Sequence, residues 1–166
     1  MKFNSKKFSK KIQSNYIDYD TEVGEVFCHI SEINKSKSDY DNFVLAIKNF
    51  DFFNSDKVNQ ESLIEMELDF AKYAIITSIV KITQSDKYFI DWDQGQKYAT
   101  EFLSQFVEIK KIYSNAGFDN DYTYKQNVNE LDMNGWTNFS QSYWYDYGFI
   151  IISNTKIGIL WFGDND

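Results

Sequence analysis

The candidate chemistry of this chain rests on carboxylates, because the sequence contains a single His and a single Cys. Asp91 and Asp93 flank Trp92, and on a strand these two carboxylates would share one face. Paired carboxylates bind a divalent metal or carry out acid–base catalysis. The pair defines one hypothesis, a metal-dependent enzyme, against the structural alternative of a chance match in an acidic chain.

A second acidic segment, residues 119–130, has part of the spacing of a calcium-binding loop and could add ligands to such a metal site. Asp119, Asp121 and Glu130 fall at loop positions one, three and twelve. Position six, where the sharp turn needs glycine, is Tyr124. The sequence therefore favours a solvated acidic loop over a calcium site, and we place Asp119 and Asp121 among the residues that contact a protein partner.

Nucleophilic and cofactor chemistry are not indicated by the sequence. Cys28 and His29 are neighbours, so their side chains diverge on a strand and on a helix and make a poor nucleophile–base pair. One Cys and one His do not make a usual zinc site. Neither a glycine-rich phosphate loop nor a serine nucleophile elbow is present in the sequence. We expect a buried thiol, an ordinary imidazole and no cofactor.

The charge balance favours binding to a basic protein. The chain has 17 basic residues, all of them Lys, against 25 acidic residues, and 19% of its residues are aromatic. Residues 1–11 hold five Lys and no acid, so residues 12–166 hold 12 Lys and 25 acids, a net charge of −13. Acidic fields steer cationic partners, whereas nucleic-acid recognition leans on the Arg that this chain lacks. The structural alternative is that acidity serves solubility alone.

Glu61, Glu65 and Asp69 form the clearest acidic pattern. They fall at four-residue steps, which on a helix would place them in one stripe. The structural alternative is a solvated outer face. As an interface, the stripe would be presented to a cationic surface.

The segment 142–147 combines rings with a carboxylate. On an extended chain, Tyr143, Tyr145 and Tyr147 share one face, and Trp144 and Asp146 share the other. Tyr and Trp are the usual anchors of protein interfaces, although aromatic packing between a sheet and helices is the structural alternative. We predict that Tyr143, Tyr145 and Asp146 contact the partner.

Hydrophobic spacing predicts three helices. One begins at Ser38-Asp39 and continues through Phe50, the central one runs from Asn59 to Thr83, and the third spans Gln96 to Asn115 with Gly117 as its cap. A strand is expected over 87–92, and the segment 22–33 fits both a helix and a strand.

The last part of the chain predicts a β-hairpin. Residues 147–153 and 156–162 are aromatic and β-branched and flank a turn at Asn154-Thr155, with Gly148 and Gly158 as candidate bulges. Helices followed by strands indicate an α+β fold, with about three helices packed on a small antiparallel sheet that includes this hairpin.

Length and cysteine content bound the organisation. The 166 residues fit one domain, which we place at residues 16–166, after a loose basic arm at residues 1–15. No apolar run follows the N-terminal lysines, and no stretch reaches the roughly 18 apolar residues of a membrane span. One Cys allows no intrachain disulfide, so we expect a cytoplasmic protein.

The run 143–153, Tyr-Trp-Tyr-Asp-Tyr-Gly-Phe-Ile-Ile-Ile-Ser, together with 157–164, Ile-Gly-Ile-Leu-Trp-Phe-Gly-Asp, resembles the ends of small bacterial immunity proteins. Those proteins belong to polymorphic-toxin and contact-dependent growth inhibition systems. The resemblance implies a cytoplasmic protein that binds a cognate toxin domain, often a basic nuclease, and blocks it.

The leading hypothesis is therefore an immunity protein that occludes a cationic toxin domain without making or breaking a bond. A phage-type acidic mimic of DNA that inhibits a nucleic-acid enzyme is the second hypothesis. The metal-dependent enzyme built on Asp91 and Asp93 is the third. The sequence does not fix the oligomeric state.

Overall fold

The fold is described over residues 2–82, 87–120 and 126–165 of a computed structural model. Within these residues, four helices are present: α1 (Ser5–Gln13), α2 (Asp39–Ile47), α3 (Leu68–Lys81) and α4 (Trp92–Leu103). The strands are β1 (Ile17–Asp18), β2 (Thr21–Glu22), β3 (Glu25–Glu32), β4 (Ile64–Met66), β5 (Ile109–Ser114), β6 (Ala116–Asp119), β7 (Asp132–Trp136), β8 (Tyr145–Ser153) and β9 (Lys156–Asp164).

A five-stranded antiparallel sheet organises these elements in the order β3-β9-β8-β5-β4. Two small hairpins, β1-β2 and β6-β7, lie outside it. The α+β class, with helices on an antiparallel sheet that includes the C-terminal hairpin, is confirmed. Four helices rather than about three are present in the described part of the chain.

Strands β8 and β9 are central, and both faces of each are covered. On one face, Phe149, Ile151 and Leu160 join the apolar cluster that contains residues of α1, α3 and α4. On the other face, Ile150, Ile159 and Trp161 join the cluster that contains residues of α2. Continuous runs of β-branched and aromatic residues are what strands buried on two sides require.

The bulges predicted at Gly148 and Gly158 are wrong, because the β8–β9 register is continuous through both. A methyl group at Gly148 would overlap the Trp161 ring, and one at Gly158 would overlap the Phe106 ring. The two glycines therefore make room for rings packed across the sheet.

The loose arm expected at residues 1–15 is instead helix α1, over residues 5–13. Asn4 caps it by accepting a hydrogen bond from the Lys7 N–H at 2.9 Å. Phe8 and Ile12 are four residues apart and buried in the first cluster, so burial of this apolar stripe holds the lysine-rich segment on the core.

Helix α2 begins where the sequence predicted, with Ser38 accepting a hydrogen bond from the Asp41 N–H at 3.1 Å. The segment 22–33, which fitted both a helix and a strand, contains the eight-residue strand β3. Its pairing with β9 decides the outcome, because the alternation of Val26, Phe27 and Cys28 matches the two faces of the sheet.

Helix α3 is shorter than predicted. It begins at Leu68 rather than at Asn59, because Glu67 caps it by accepting hydrogen bonds from the N–H groups of Asp69 and Phe70. The preceding residues form a 3₁₀ turn, Gln60–Ser62, and the strand β4. Its predicted end, Thr83, lies outside the described residues. In the described ranges, no helix has the length and apolar character needed to cross a bilayer.

The third predicted helix is correct only in its first half. The helix α4 ends at Leu103, and the residues from Ile109 to Ser114 form strand β5 between β4 and β8. Gly117 lies in strand β6 rather than at a helix end. The strand predicted over 87–92 is wrong, because Asp91 caps α4 by accepting a hydrogen bond from the Gln94 N–H at 2.8 Å.

Candidate partner-binding face

The side of the sheet covered by α2 carries a tyrosine–carboxylate pair beside β4. The Tyr113 hydroxyl on β5 donates a hydrogen bond to the Asp39 carboxylate at 2.7 Å, which ties the first turn of α2 to the sheet. Glu65 is the register partner of Tyr113 and forms a 2.9 Å ion pair with Lys111. Burial and the hydrogen bond to Asp39 raise the pKa of Tyr113 well above its usual value.

A second tyrosine–carboxylate pair lies at the opposite edge of the same side. The Tyr143 hydroxyl donates a 2.5 Å hydrogen bond to Glu25 on β3, and its ring packs against Phe52 with centroids 5.6 Å apart. Burial and the bond to Glu25 raise the pKa of Tyr143 well above its usual value. Both hydroxyls are thus held in fixed orientations.

Two cavities lie on the same side of the sheet, and Tyr40 lines both of them. The first, of about 450 Å³, is lined by Phe50, Phe53 and Gln141 among others. The second, of about 320 Å³, is lined by Asp39 and Tyr113 among others. The Tyr40 hydroxyl donates to the Val58 carbonyl at 3.3 Å. We call this surface the α2 face, defined by the two tyrosine–carboxylate pairs, Glu65 and the two cavities.

The chain segment that builds most of the α2 face is strongly acidic. Residues 39–69 contain eight acidic residues and two lysines, a net charge of −6. Seven of these acids are exposed and the eighth, Asp39, is half-buried. Exposed apolar side chains accompany them, since Val44 is 38% exposed and Phe50 is 37% exposed. The combination of carboxylates, rings and concavity is typical of a surface that binds a cationic protein.

The opposite side of the sheet carries the lysine-rich helix α1. Helix α1 packs there, and all five lysines of residues 1–11 are exposed. Lys11 is paired with Glu101 on α4 at 3.1 Å. The five lysines of residues 1–11 and the acidic segment therefore lie mainly on opposite sides of the sheet, although the α1 side also carries acids, such as Asp93 and Glu101 of α4.

The predicted acidic stripe is distributed over three elements rather than along one helix. Glu61 lies in the 3₁₀ turn, Glu65 in β4 and Asp69 in the first turn of α3, and all three are exposed. They remain in the acidic segment, although the helical spacing that suggested them is wrong. Glu65 contributes directly to the α2 face.

The assignment of Asp146 to a partner contact is wrong, because this residue is fully buried. Its carboxylate accepts hydrogen bonds from the N–H groups of Phe139 and Ser140 and from the Trp161 indole at 2.8 Å. It fixes the loop before β8 to the sheet. Trp144, two residues earlier, is 71% exposed. Asp146 and Trp144, which were expected on one face of an extended segment, therefore lie in different environments.

The two tyrosines predicted in the same segment are both half-buried. Tyr143 belongs to the α2 face through Glu25 and Phe52. Tyr145 packs instead against Trp136 of β7, with ring centroids 5.2 Å apart. The structure therefore brings only one of them together with the acidic segment.

The acidic loop does not join the α2 face. The Asp119 carboxylate, at the end of β6, accepts a hydrogen bond from Asn134 at 2.7 Å, and Asp121 lies outside the described residues. Glu130 is buried, forms a 3.4 Å ion pair with Lys81 and accepts a hydrogen bond from the Tyr88 hydroxyl at 2.8 Å. A lysine ammonium thus neutralises the carboxylate that a calcium loop would use at position twelve.

The carboxylates proposed for metal catalysis are placed differently from the expectation. Asp91 is the cap of α4 and Asp93 is exposed in its first turn, so they do not share a strand face. Among the described residues, no three His, Cys, Asp or Glu side chains are grouped so that they could hold a metal ion. Cys28 is buried, and burial raises its thiol pKa to about 12.

Sequence reasoning missed four residues of the α2 face: Glu25, Asp39, Tyr40 and Tyr113. Tyr113 was assigned to a helix from the sequence, so its pairing with Glu65 between the strands β5 and β4 was not predicted. Asp39 was recognised only as part of a helix start. A count of charge along the chain would have found the acidic segment 39–69, because its net charge of −6 is local.

Comparison with protein-family models, curated proteins and solved structures finds no match for this chain. The candidate face therefore stands on its own geometry.

Proposed function

We propose that this protein is a cytoplasmic immunity protein that binds and neutralises a cationic toxin domain by occlusion. The observation that carries the proposal is the α2 face, where an acidic segment of net charge −6 surrounds two cavities bounded by ring side chains. A basic nuclease domain is the class of toxin that the resemblance of the C-terminal run implies.

The physical mechanism begins with electrostatic steering. The exposed carboxylates of residues 39–69 attract Lys and Arg side chains of the toxin, which raises the association rate more than the final affinity. The exposed lysines of α1, on the other side of the sheet, repel a cationic partner and so help to orient the encounter.

The rings then anchor the complex. Tyr40 and Phe50 line the first cavity, Tyr143 packs against Phe52 on the same side, and the hydroxyls of Tyr113 and Tyr143 are already bonded to carboxylates. Side chains held in this way lose little freedom on binding, and toxin side chains that enter the two cavities displace water from them. Covering the toxin's active surface blocks access of its substrate.

The test uses the product of the adjacent open reading frame as the candidate toxin. Co-expression should relieve its toxicity, and titration calorimetry should show binding that weakens as salt rises. The variant Asp51→Lys/Glu61→Lys reverses two exposed charges in the acidic segment and should weaken binding at least about 10-fold through electrostatics.

The matched control is Glu22→Lys/Asp93→Lys, which reverses two exposed charges outside residues 39–69. It makes the same change of net charge and should retain most of the affinity. Equal weakening by both variants would assign binding to net charge alone and contradict the α2 face. Inhibition of a nucleic-acid enzyme other than the toxin, with no relief of toxicity, would favour the DNA-mimic hypothesis instead.

A further inference from the structure

Strand β3 forms one edge of the five-stranded sheet, and its second half is open. Val26 donates its N–H to the Gln13 side chain at 2.9 Å, so this N–H points away from β9. Because hydrogen-bond direction alternates along an antiparallel pair, the N–H and C=O groups of Cys28, Ile30 and Glu32 point the same way. Among the described residues, none donates to or accepts from these groups outside the sheet.

The N-terminal half of this edge is closed. Helix α1 packs against β3, and its Gln13 amide occupies the position that a neighbouring strand would use at Val26. The segment whose outward backbone groups have no partner among the described residues is therefore residues 28–32, in which the Cys28 side chain is buried, Ile30 is half-buried and Glu32 is exposed. An edge of this kind is a template for an added strand.

We propose that the open half of β3 pairs antiparallel with the same segment of a second copy, about a two-fold axis through Ile30. In this register, Ile30 opposes Ile30 of the second copy and Cys28 opposes its Glu32. Each opposed pair exchanges two backbone hydrogen bonds, which gives six across the axis. The two five-stranded sheets then form one continuous sheet.

The hydrogen bond between the Val26 N–H and Gln13 favours this pairing register over registers shifted along the strand. Registers shifted toward the N-terminus would pair Val26, whose N–H is already bonded to Gln13 and cannot be donated to the second copy. A shift the other way would require Asn34, which lies beyond the strand and whose N–H is bonded to Asn42 at 2.7 Å. Only the register centred on Ile30 uses all three open residues of each copy without requiring Val26 or Asn34.

The charges of the pairing are complementary. The Cys28 side chain lies near Ser5 in the first turn of α1, and the next residue, Lys6, is exposed. Glu32 of one copy, which lies opposite Cys28 of the other, therefore approaches the lysine-rich turn of that copy. No like charges oppose each other along the five residues, since His29 faces Ser31.

The test measures molecular mass against concentration, using sedimentation velocity of the isolated protein. A short interface predicts a dissociation constant of roughly 10 µM to 1 mM, so the mass should rise from 19.7 kDa toward twice that value over this range. The variant Ile30→Pro removes an N–H that β9 does not use, so the monomer should fold while the dissociation constant rises at least about 10-fold.

Two further variants separate loss of pairing from loss of folding. Ile30→Lys and Ile30→Glu each place like charges opposite each other at the axis and should each be monomeric. An equimolar mixture opposes Lys to Glu and should recover association. Neither result requires a toxin, so the pairing and the proposed function fail separately.

Three outcomes would overturn the proposal. The wild-type protein could remain at 19.7 kDa up to about 1 mM, the Ile30→Pro variant could associate as strongly as the wild type, or the mixture could fail to restore association. An isolated chain that is monomeric while Ile30→Pro weakens toxin binding would assign the open edge to the toxin instead.

Discussion

Replacement of Asp146 by Asn should be among the most destabilising isosteric changes in this protein. The Asp146 carboxylate is fully buried and bonds three N–H donors. Its Oδ1 atom accepts from Ser140 at 3.0 Å, its Oδ2 atom accepts from Trp161 at 2.8 Å, and Phe139 lies within bonding distance of both. The substitution keeps the shape and volume, so the change in stability reports the hydrogen bonds.

The magnitude follows from the donors that lose their acceptor. The amide nitrogen of Asn can replace only one oxygen, so Phe139 keeps a partner while either Ser140 or Trp161 does not. A buried donor without an acceptor costs about 1–3 kcal/mol, and the new amide N–H group adds a second such donor. We therefore expect a loss of about 4 kcal/mol in the free energy of unfolding, or about 8–16 °C in Tm.

The assay is urea denaturation followed by circular dichroism, with Asp93→Asn as the control because Asp93 is exposed on α4. The control should change stability by less than about 0.5 kcal/mol. A double-mutant cycle with Trp161→Phe should give a coupling energy of about 1–3 kcal/mol. A loss below about 1 kcal/mol for Asp146→Asn, with no coupling to Trp161, would refute the assigned role of the carboxylate.

Four further outcomes follow from the packing and the titratable groups. Gly158→Ala should cost about 1–3 kcal/mol because its methyl group overlaps the Phe106 ring, and Phe106→Leu in the same chain should recover part of that loss in thermal denaturation. Lys81→Met should cost about 3–5 kcal/mol by leaving Glu130 buried without its cation, and urea denaturation should show a smaller loss for Lys81→Met/Glu130→Leu. The pKa values of Tyr113 and Tyr143 are raised in the folded protein, so their contribution to the free energy of unfolding should be fully present below the usual tyrosine pKa of about 10 and lost as pH rises above it. Urea denaturation should therefore show declining stability above pH ~10, and the decline should be shallower for Tyr113→Phe/Tyr143→Phe. The Cys28 thiol, with a pKa raised to about 12, should react with a thiol reagent at pH ~8 only at the rate of unfolding, and a fast native-state reaction would contradict its burial.

The parts of the fold that the sequence predicted correctly have local causes. The β8–β9 hairpin has β-branched and aromatic runs on both sides of a short turn, and α2 has a serine cap followed by apolar residues at helical spacing. Each signal lies within a few residues of the structure it specifies. Neither depends on a partner elsewhere in the chain.

The incorrect parts depend on distant contacts. Ile109 and Tyr113 continue the helical spacing of Phe102 and Phe106, yet they form a strand because this segment pairs with β8. Helix α1 was not predicted because its many lysines suggested a loose arm, although Phe8 and Ile12 form an apolar stripe at helical spacing. From the sequence, Asp146 is one more acidic residue and is expected at the surface. It is buried because three N–H donors, which only the fold brings together, bind its carboxylate.

Because β8 and β9 lie in the middle of the sheet but are made last, they determine when the sheet can form during synthesis. Strand β3 is made early, but its partner β9 is about 130 residues later, and β5 must likewise wait for β8. At ~5–20 residues per second, the ribosome takes roughly 7–25 s to reach β9 after it has made β3. Until then β3 has no neighbour in the sheet, and its apolar face depends on helices or chaperones for cover. The nascent chain is therefore most vulnerable to aggregation shortly before its central hairpin emerges.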